Sequence, residues 1–492
     1  MKYVATFDIG TTAVKGVLVS TEKKVVFSLS MPIETLMEQG IKEQRPVDWY
    51  HAFCNISKAF LSNGFKAQDI LGIVMSGQMQ DLITVDQKGY PVMNAILYSD
   101  GRAQKEADII LNQMGSEEII KSTGNFFDGS MPLAKLLWLK RNDPVGYNQI
   151  HKILISSKDY CIARLTGQYV TDVTSASTAG LMDIYGKSWN TDWVDGLDLD
   201  ANLLPDIKYA QDQAGVVTDK ASFDSGYAVG TPVYTGTGDA GATTLASGIS
   251  KEGEFNINIG TSGWIACMNH QVRNSEGVFN LAAMPKDKYI NVVPFLNAGG
   301  VHKWVSKTLT PENEQESKYE YIGRLLNESQ CGSNGLLFLP YLLGERFPVM
   351  DVDVRGCYIG LSANTTKNDL ARASLEGVAF SIKQGLEAMG GKADRVTLIG
   401  GGAQVEVWCQ ALADVLGQTI YVSADAEYMP AISIAASVLV SQGMVQNYES
   451  FISTLMENND FISYEPIKEN VKILKKQYAK YINIYPQVKN LF

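Results

Sequence analysis

Residues 235–264 read TGTGDAGATTLASGISKEGEFNINIGTSGW, and this stretch decides the fold. Its first half ends a short strand in a Gly-rich turn holding one carboxylate, Asp239, after which small residues open a helix. Its second half alternates apolar and polar residues, as a half-buried strand does. It runs into Gly260-Thr261-Ser262-Gly263, a turn rich in N–H and hydroxyl donors. A carboxylate able to take a proton from an alcohol, near a turn able to cradle an anion, is what phosphoryl transfer requires. Between the two halves, Gly248 to Gly253 (GISKEG) marks the best domain boundary in the chain.

Working outward, the N-terminus repeats this design. Val4 to Phe7 and Val14 to Val19 read as a hairpin whose tip carries Asp8, Gly10, Thr11, Thr12 and Lys15. Such a tip is either an ordinary Gly-Thr hairpin or a phosphate-facing turn, with Asp8 holding Mg²⁺ through water and Thr11 and Thr12 facing the anion. DIGTT from Asp8 and NIGTSG from Asn258 share a strand, Ile-Gly-Thr, a hydroxyl and a second strand, each followed by α/β alternation. Two copies imply two similar α/β halves clamping one phosphate chain.

The carboxyl ends of strands are where open α/β sheets bind ligands. Ile70 to Met75 reads as a buried strand ending in Ser76-Gly77-Gln78-Met79-Gln80-Asp81, and Ala95 to Tyr98 ends in Ser99-Asp100-Gly101-Arg102. Gln78, Met79, Gln80 and Asp100 are therefore candidates for contact with a small polar substrate. A plain polar loop, or a helix cap at Asp100, is the competing reading. Val396 to Ile399 ends in Gly400-Gly401-Gly402-Ala403-Gln404, where consecutive glycines admit something flat such as adenosine, or make a tight crossover turn. Val47 to Phe60, Met131 to Lys140 and Asn368 to Met389 read as helices, and a last helix places Ile467, Val471, Leu474 and Tyr478 on one face.

At 492 residues the chain exceeds one core and fits two domains of ordinary size. A net charge of -11 argues against a broad nucleic-acid surface, but not against a small anion held in a nest of N–H groups. The six cysteines lack CxxC spacing and the four histidines lack metal-ligand spacing, which argues against a disulfide frame or a zinc site. No basic-then-apolar leader and no apolar run of ~18–20 residues is present, so a cytoplasmic location is the default expectation. Two fingerprints mislead. Gly186-Lys187-Ser188 resembles the end of a nucleotide loop, but Leu181 stands where its first glycine belongs. Gly236 to Gly241 is a literal G-x-G-x-x-G, but an acid inside the turn would repel a pyrophosphate, and the next strand ends without an acid for the ribose.

Taken in order, DIGTT with Lys15, SMPLAKLLWLKRN from Ser130, GDAGATTLASG with Asp239, IGTSG, and GCYIGLSANTTKNDLARASLE from Gly356 resemble the FGGY family of carbohydrate kinases. The resemblance runs to about residue 445, and the Ser130 and Gly356 stretches match the family's two signature regions. GQMQ, YSDGR and HKILISSKDYCIARLTGQYVTD are most similar to its xylulose-phosphorylating members. The resemblance implies an α/β fold of two duplicated actin-like (ribonuclease H-like) ATPase domains with a cleft between them. Residues 1–248 would form the sugar side, 249–445 the nucleotide side, and 446–492 a helical extension packed on the second domain.

The same resemblance implies Asp239 as general base and sugar contact, and Asp8 as the Mg²⁺ residue. Thr11, Thr12, Lys15, Gly260, Thr261 and Ser262 would lie along the phosphates of ATP, and Gly401, Gly402, Ala403 and Gln404 along the adenosine. Met79 and Gln80 would touch the sugar, with Gln78 and Asp100 beside them. Two positions depart from the xylulose kinase pattern: Gln80 stands where His is usual, and Ala240 where Asn is usual. Both lie on the sugar side, where a lost polar contact shifts specificity. The expected activity is ATP- and Mg²⁺-dependent phosphorylation of a primary hydroxyl, on D-xylulose or else another ketose, a polyol or gluconate. A homodimer is implied by the family alone. A non-catalytic actin-like ATP switch is the reading from a different class.

Overall fold

The hairpin read from DIGTT is present in the computed structural model, which describes residues 1–38, 40–423, 428–457 and 460–492. Strands β1 (Tyr3–Ile9) and β2 (Ala13–Ser20) pair antiparallel from Tyr3↔Ser20 to Ile9↔Val14, and a Gly10 N–H to Ala13 carbonyl bond closes the turn. β1 buries apolar side chains on both faces, as a central strand must. Accordingly β3 (Val25–Pro32) extends the meander beyond β2, while β4 (Ile70–Gly77) lies parallel to β1 on its other side. β5 (Gln213–Val216), β6 (Pro232–Tyr234) and β7 (Thr237–Gly238) complete the sheet in the order β5-β6-β4-β1-β2-β3, with β7 parallel to the end of β4. Helix α1 (Pro46–Ser62) makes the crossover from the meander to β4. Pro46 opens it, and Trp49, Phe53, Ile56 and Phe60, at helical spacing, enter the core under β1.

The second sheet repeats the plan. β8 (Glu254–Ile259) and β9 (Gly263–Asn269) form the NIGTSG hairpin, β10 (Phe279–Ala282) and β11 (Tyr289–Phe295) extend it, and β12 (Arg395–Ile399) and β13 (Ile420–Ser423) lie parallel on the far side of β8. In each half a central strand stands between its own hairpin partner and a parallel strand delivered by a helical crossover. That is the duplication implied by the DIGTT and NIGTSG echo.

The helices that position the site are α2 (Ser157–Thr166), the single turn α3 (Val173–Ala176), α4 (Asp239–Ala246), α5 (Gly299–Leu309), α6 (Lys367–Ala388) and α7 (Met429–Ser441). α7 belongs to the second half by sequence, yet Ile434, Ala435 and Val438 pack with Val4, Val17 and Leu245 of the first. A polar seam also joins the halves along β10. The Asn125 side chain exchanges two bonds with the Asn280 backbone, the Thr174 hydroxyl donates to the Ala282 carbonyl at 2.6 Å, and the Ala282 N–H donates to Ser177 at 2.9 Å.

The tail corrects the expectation of a purely helical extension on the second domain. α8 (Tyr448–Glu457) turns Tyr448, Phe451 and Ile452 into the α7 cluster against the first sheet, and β14 (Phe461–Tyr464) adds an antiparallel edge strand to β13. Only α9 (Lys468–Tyr481) packs on the second core, and it buries Leu474, Gln477, Tyr478 and Tyr481. Ile467 is exposed, because contacts of Tyr478 and Tyr481 with Phe380 set the buried face later in the helix than the apolar periodicity suggests. Among the described residues no helix is long and apolar enough to cross a membrane.

Gly236 holds φ +66, and a Cβ there would stand 1.9 Å from the Met75 carbonyl oxygen of β4. Gly236→Ala is therefore expected to lower stability by about 3 kcal/mol, read from chemical denaturation.

Candidate active site

β1, β4 and β7 run parallel as neighbours, so their carboxyl ends bring Asp8, the Gln78–Asp81 loop and Asp239 to one side of the first sheet. Asp239 is the first residue of α4, and its Oδ1 accepts the Ala240 N–H at 2.7 Å. The carboxylate is reached by solvent, yet protein surrounds it closely. That loss of hydration, followed by the charge of Asp8, pushes its pKa up to about 7; the Ala240 N–H opposes the shift and Asp172 adds to it. A carboxylate poised near neutrality is suited to take a proton from an alcohol. Asp8 lies across from Lys15 in the hairpin and accepts the Ser76 hydroxyl at 2.9 Å. Burial raises its pKa, against the Ser76 bond and the Lys15 charge. The Lys15 ammonium also sits 4.5 Å over the Tyr428 ring.

Met79 is buried against Gly238, where a Cβ would meet its sulfur, and shares an apolar cluster with Ala240 and with Trp264 of the second half. Gln80, held at φ +65, donates its amide to the Ser130 hydroxyl at 2.6 Å, and Ser130 in turn donates to Asp128. Its carbonyl end is the polar group it can offer a ligand.

Gln78 and Asp100 correct the sequence reading. Gln78 is buried, accepts the Thr11 hydroxyl at 2.6 Å and donates to Gln44 at 2.9 Å; Gln44 also takes the Trp49 indole N–H and donates to the Thr11 carbonyl. This chain of amides holds the hairpin tip from behind, and it also turns the Thr11 hydroxyl inward. Asp100 is wholly buried and accepts four bonds, from the Lys42 and Arg102 N–H groups and from two nitrogens of the Arg102 guanidinium. Burial alone would raise its pKa, but these donors outweigh it and hold the carboxyl below the usual range. Asp100 builds the loop and has no free lone pair aimed at a sugar.

In the second half, a cavity of about 770 Å³ is bounded by Gly260 and Thr261 at the hairpin tip, by Gly401, Gly402 and Gln404, and by α5. That volume suits a nucleotide-sized ligand. The turn packs tightly against the start of α5: the Gly299 and Gly300 N–H groups bond the Gly260 and Thr261 carbonyls, and a Cβ on Gly299 would stand 2.3 Å from the Gly260 oxygen. Gly402 likewise has no room for a Cβ, because Ile259 lies 2.5 Å away. Ala403 is half-buried against the core beside the cavity. Thr12 and Ser262 are exposed at the two hairpin tips.

Sequence reasoning missed His302, Tyr319 and Trp408, whose rings meet at the cavity wall from three separate helices. It also missed two buried ionic groups behind the sugar side, Asp81 with Lys135 and Lys158 with Asp159 and Asp172. The adjacent Lys158-Asp159 at a helix start, and the hydroxyl-rich TDVTSAS segment, were the available signals.

Mg²⁺ is tested by the donor set. Asp8 engages Ser76 through one oxygen, and among the described residues no group of three or more His, Cys, Asp or Glu could cage a metal ion. One carboxylate beside a phosphate-sized turn is the environment Mg²⁺ takes through water and phosphate oxygens, so the residues fit.

Family models for the N-terminal and C-terminal domains of the FGGY family of carbohydrate kinases match residues 3–246 and 255–431. The xylulose kinase of Staphylococcus xylosus is 32% identical over 99% of this chain and 100% of its own length. The gluconokinase of Bacillus subtilis is 27% identical, covering 100% of this chain and 97% of its own. A crystal structure of ligand-bound xylulose kinase from Lactobacillus acidophilus superposes with a TM-score of 0.90 at 25% identity, covering 99% of each chain. Fold and site thus define a two-lobed sugar kinase on the duplicated actin-like (ribonuclease H-like) architecture. The chain belongs to the FGGY family of carbohydrate kinases, which use ATP.

Two opposite pH dependences follow from Asp239. Its base form predominates above about pH 7, so kcat/KM for the sugar is expected to rise as pH rises from about 6 to 8 and then level. For stability, the folded value of about 7 lies above the ordinary aspartate value of 3.8, so the folded state binds this proton more tightly and loses stability as pH rises through that window. Asp239→Asn is expected to raise the melting temperature over the parent more at about pH 8 than at about pH 4.

Proposed function

We propose that this chain transfers the γ-phosphoryl group of ATP to the primary hydroxyl of D-xylulose, giving D-xylulose 5-phosphate and ADP. The observation that carries the reading is the Asp239 carboxylate, raised toward neutrality at the N-terminus of α4 and set at a strand end on the other side of β4 from Asp8. The sugar rests between Met79, Gln80 and Asp239. As the new O–P bond forms, Asp239 takes the hydroxyl proton and later releases it through its open face to solvent. Gly260, Thr261 and Ser262, with Thr11, Thr12 and Lys15 opposite, line the phosphates. Gly401, Gly402, Ala403 and Gln404 line the adenosine. Mg²⁺, held on the Asp8 side, neutralises charge on the phosphate oxygens when bound. Approach of the two halves excludes water, the competing acceptor.

A neutral ketose is favoured over an aldonate by charge. In this reading Asp239 stands against the sugar, and a substrate carboxylate would meet its charge. The reading carries with it division near residue 248 into a sugar-side and a nucleotide-side domain, a cytoplasmic setting and a homodimer.

Coupled ADP release across a panel of pentuloses, hexuloses, polyols and gluconate tests it. D-xylulose is expected to give the highest kcat/KM, and Asp239→Ala to lose at least ~10²-fold in kcat while nucleotide still binds by calorimetry. Gluconate as the best acceptor would overturn the substrate, and no acceptor stimulating ADP release would leave an ATP switch instead.

A further inference from the structure

We propose that the buried ion triad Lys158–Asp159–Asp172 is a positioning device for Asp239, fixing the turn that presents this carboxylate to the acceptor hydroxyl. The inference rests on reading Asp239 as the base. None of the three side chains reaches solvent. The Lys158 ammonium lies 2.6 Å from Asp159 and 2.8 Å from Asp172. Asp159 is anchored by the capping box of α2, with its other oxygen accepting the Ser156 N–H at 3.0 Å.

Asp172 is the member that reaches the site. It caps α3 through the Thr174 and Ser175 N–H groups at 3.0 and 3.1 Å, and it accepts the Ser175 hydroxyl at 2.6 Å. The same Oδ2 accepts the Thr237 hydroxyl and the Gly238 N–H, each at 3.3 Å. Gly238 directly precedes Asp239 and is wedged from the other side, where a Cβ would lie 2.1 Å from the Met79 sulfur. The peptide carrying the base is thus gripped between Asp172 and Met79. Burial works against a charged Asp172, but Lys158, Ser175 and the cap hold its pKa below the usual range, so it remains a strong acceptor.

Net stability does not account for such a group. Burying ions costs desolvation that their attraction barely recovers, and well-packed apolar residues of similar size often serve as well or better. What an ionic cluster with every acceptor directed does supply is a single geometry. The Thr174 hydroxyl, within the turn that Asp172 caps, bonds Ala282 of the second sheet, so Asp172 also ties the base to the seam between the halves.

The test compares Asp172→Asn with Lys158→Met/Asp159→Asn/Asp172→Asn, measuring kcat, both KM values and melting temperature, with Asp239→Asn in parallel. Asp172→Asn is expected to lower kcat about 10- to 100-fold, with KM for sugar and for ATP within about 3-fold of the parent. The triple variant removes all three charges and leaves no buried ion unpaired, so it is expected to melt no lower than Asp172→Asn and still to show the low kcat; it decides the matter should the single variant fail to fold. Parental kcat in the triple variant would mean that the residues serve only to neutralise each other, and overturns the proposal. So does a loss in which kcat, both KM values and melting temperature deteriorate together. Parental turnover in Asp239→Asn would instead overturn the assignment of the base, a separate failure.

Discussion

Two carboxylates, Asp8 and Asp239, stand at the carboxyl ends of β1 and β7, on either side of β4, and loss of hydration pushes both toward the protonated form. The charge of Asp8 adds to the shift at Asp239, and the hairpin offsets the shift at Asp8. Asp8 has Ser76 and Lys15 to hold its charge, whereas Asp239 has a single N–H. The group left with poorer support is the one suited to accept a proton. This division is a property of backbone placement more than of the two side chains, because their separation is set by the pairing of β1, β4 and β7.

The duplicated fold was legible because it is written in local patterns. Alternation followed by Ile-Gly-Thr marks both hairpins, and glycines at strand ends mark both turns. Asp239 was visible for the same reason, being a lone acid in a run of small residues. Gln78 was misread because polarity at a strand end looks like exposure, whereas its partners Thr11 and Gln44 lie in distant segments and consume both ends of the amide. Asp100 was misread in the same way, since Arg102 could as well have pointed outward. The triad around Lys158 left only the adjacent Lys158-Asp159 and the TDVTSAS segment as signals, as a buried charge is recognised by what surrounds it. The strand Phe461–Tyr464 was missed because four residues on a sheet edge carry too short an alternation to stand out from a charged tail.

The two ligand regions differ in kind. The large cavity is built wholly from residues of the second half, while the carboxylates belong to the first. Contact between the halves near the chemistry is apolar, through Met79, Ala240 and Trp264. Such a surface can slide with little loss, whereas the hydrogen bonds of Asn125, Thr174 and Ser177 to β10 are directional and hold one edge fixed. The arrangement describes a hinge with a dry bearing next to the reacting groups.

The tail gives that hinge its limits. It leaves the second half along α7, docks α8 on the first core, and returns to add an edge strand and a packing helix to the second. Mechanically it is a strap stitched through both plates. Pulling the plates apart would draw Phe451 and Ile452 out of apolar surroundings at roughly 1.5–3 kcal/mol each. Swivelling about the stitch leaves them seated. Residues 448–481 therefore favour rotation of restricted arc over separation of the two halves, an arc along which Asp239 and the Gly260–Gly263 turn keep one mutual alignment.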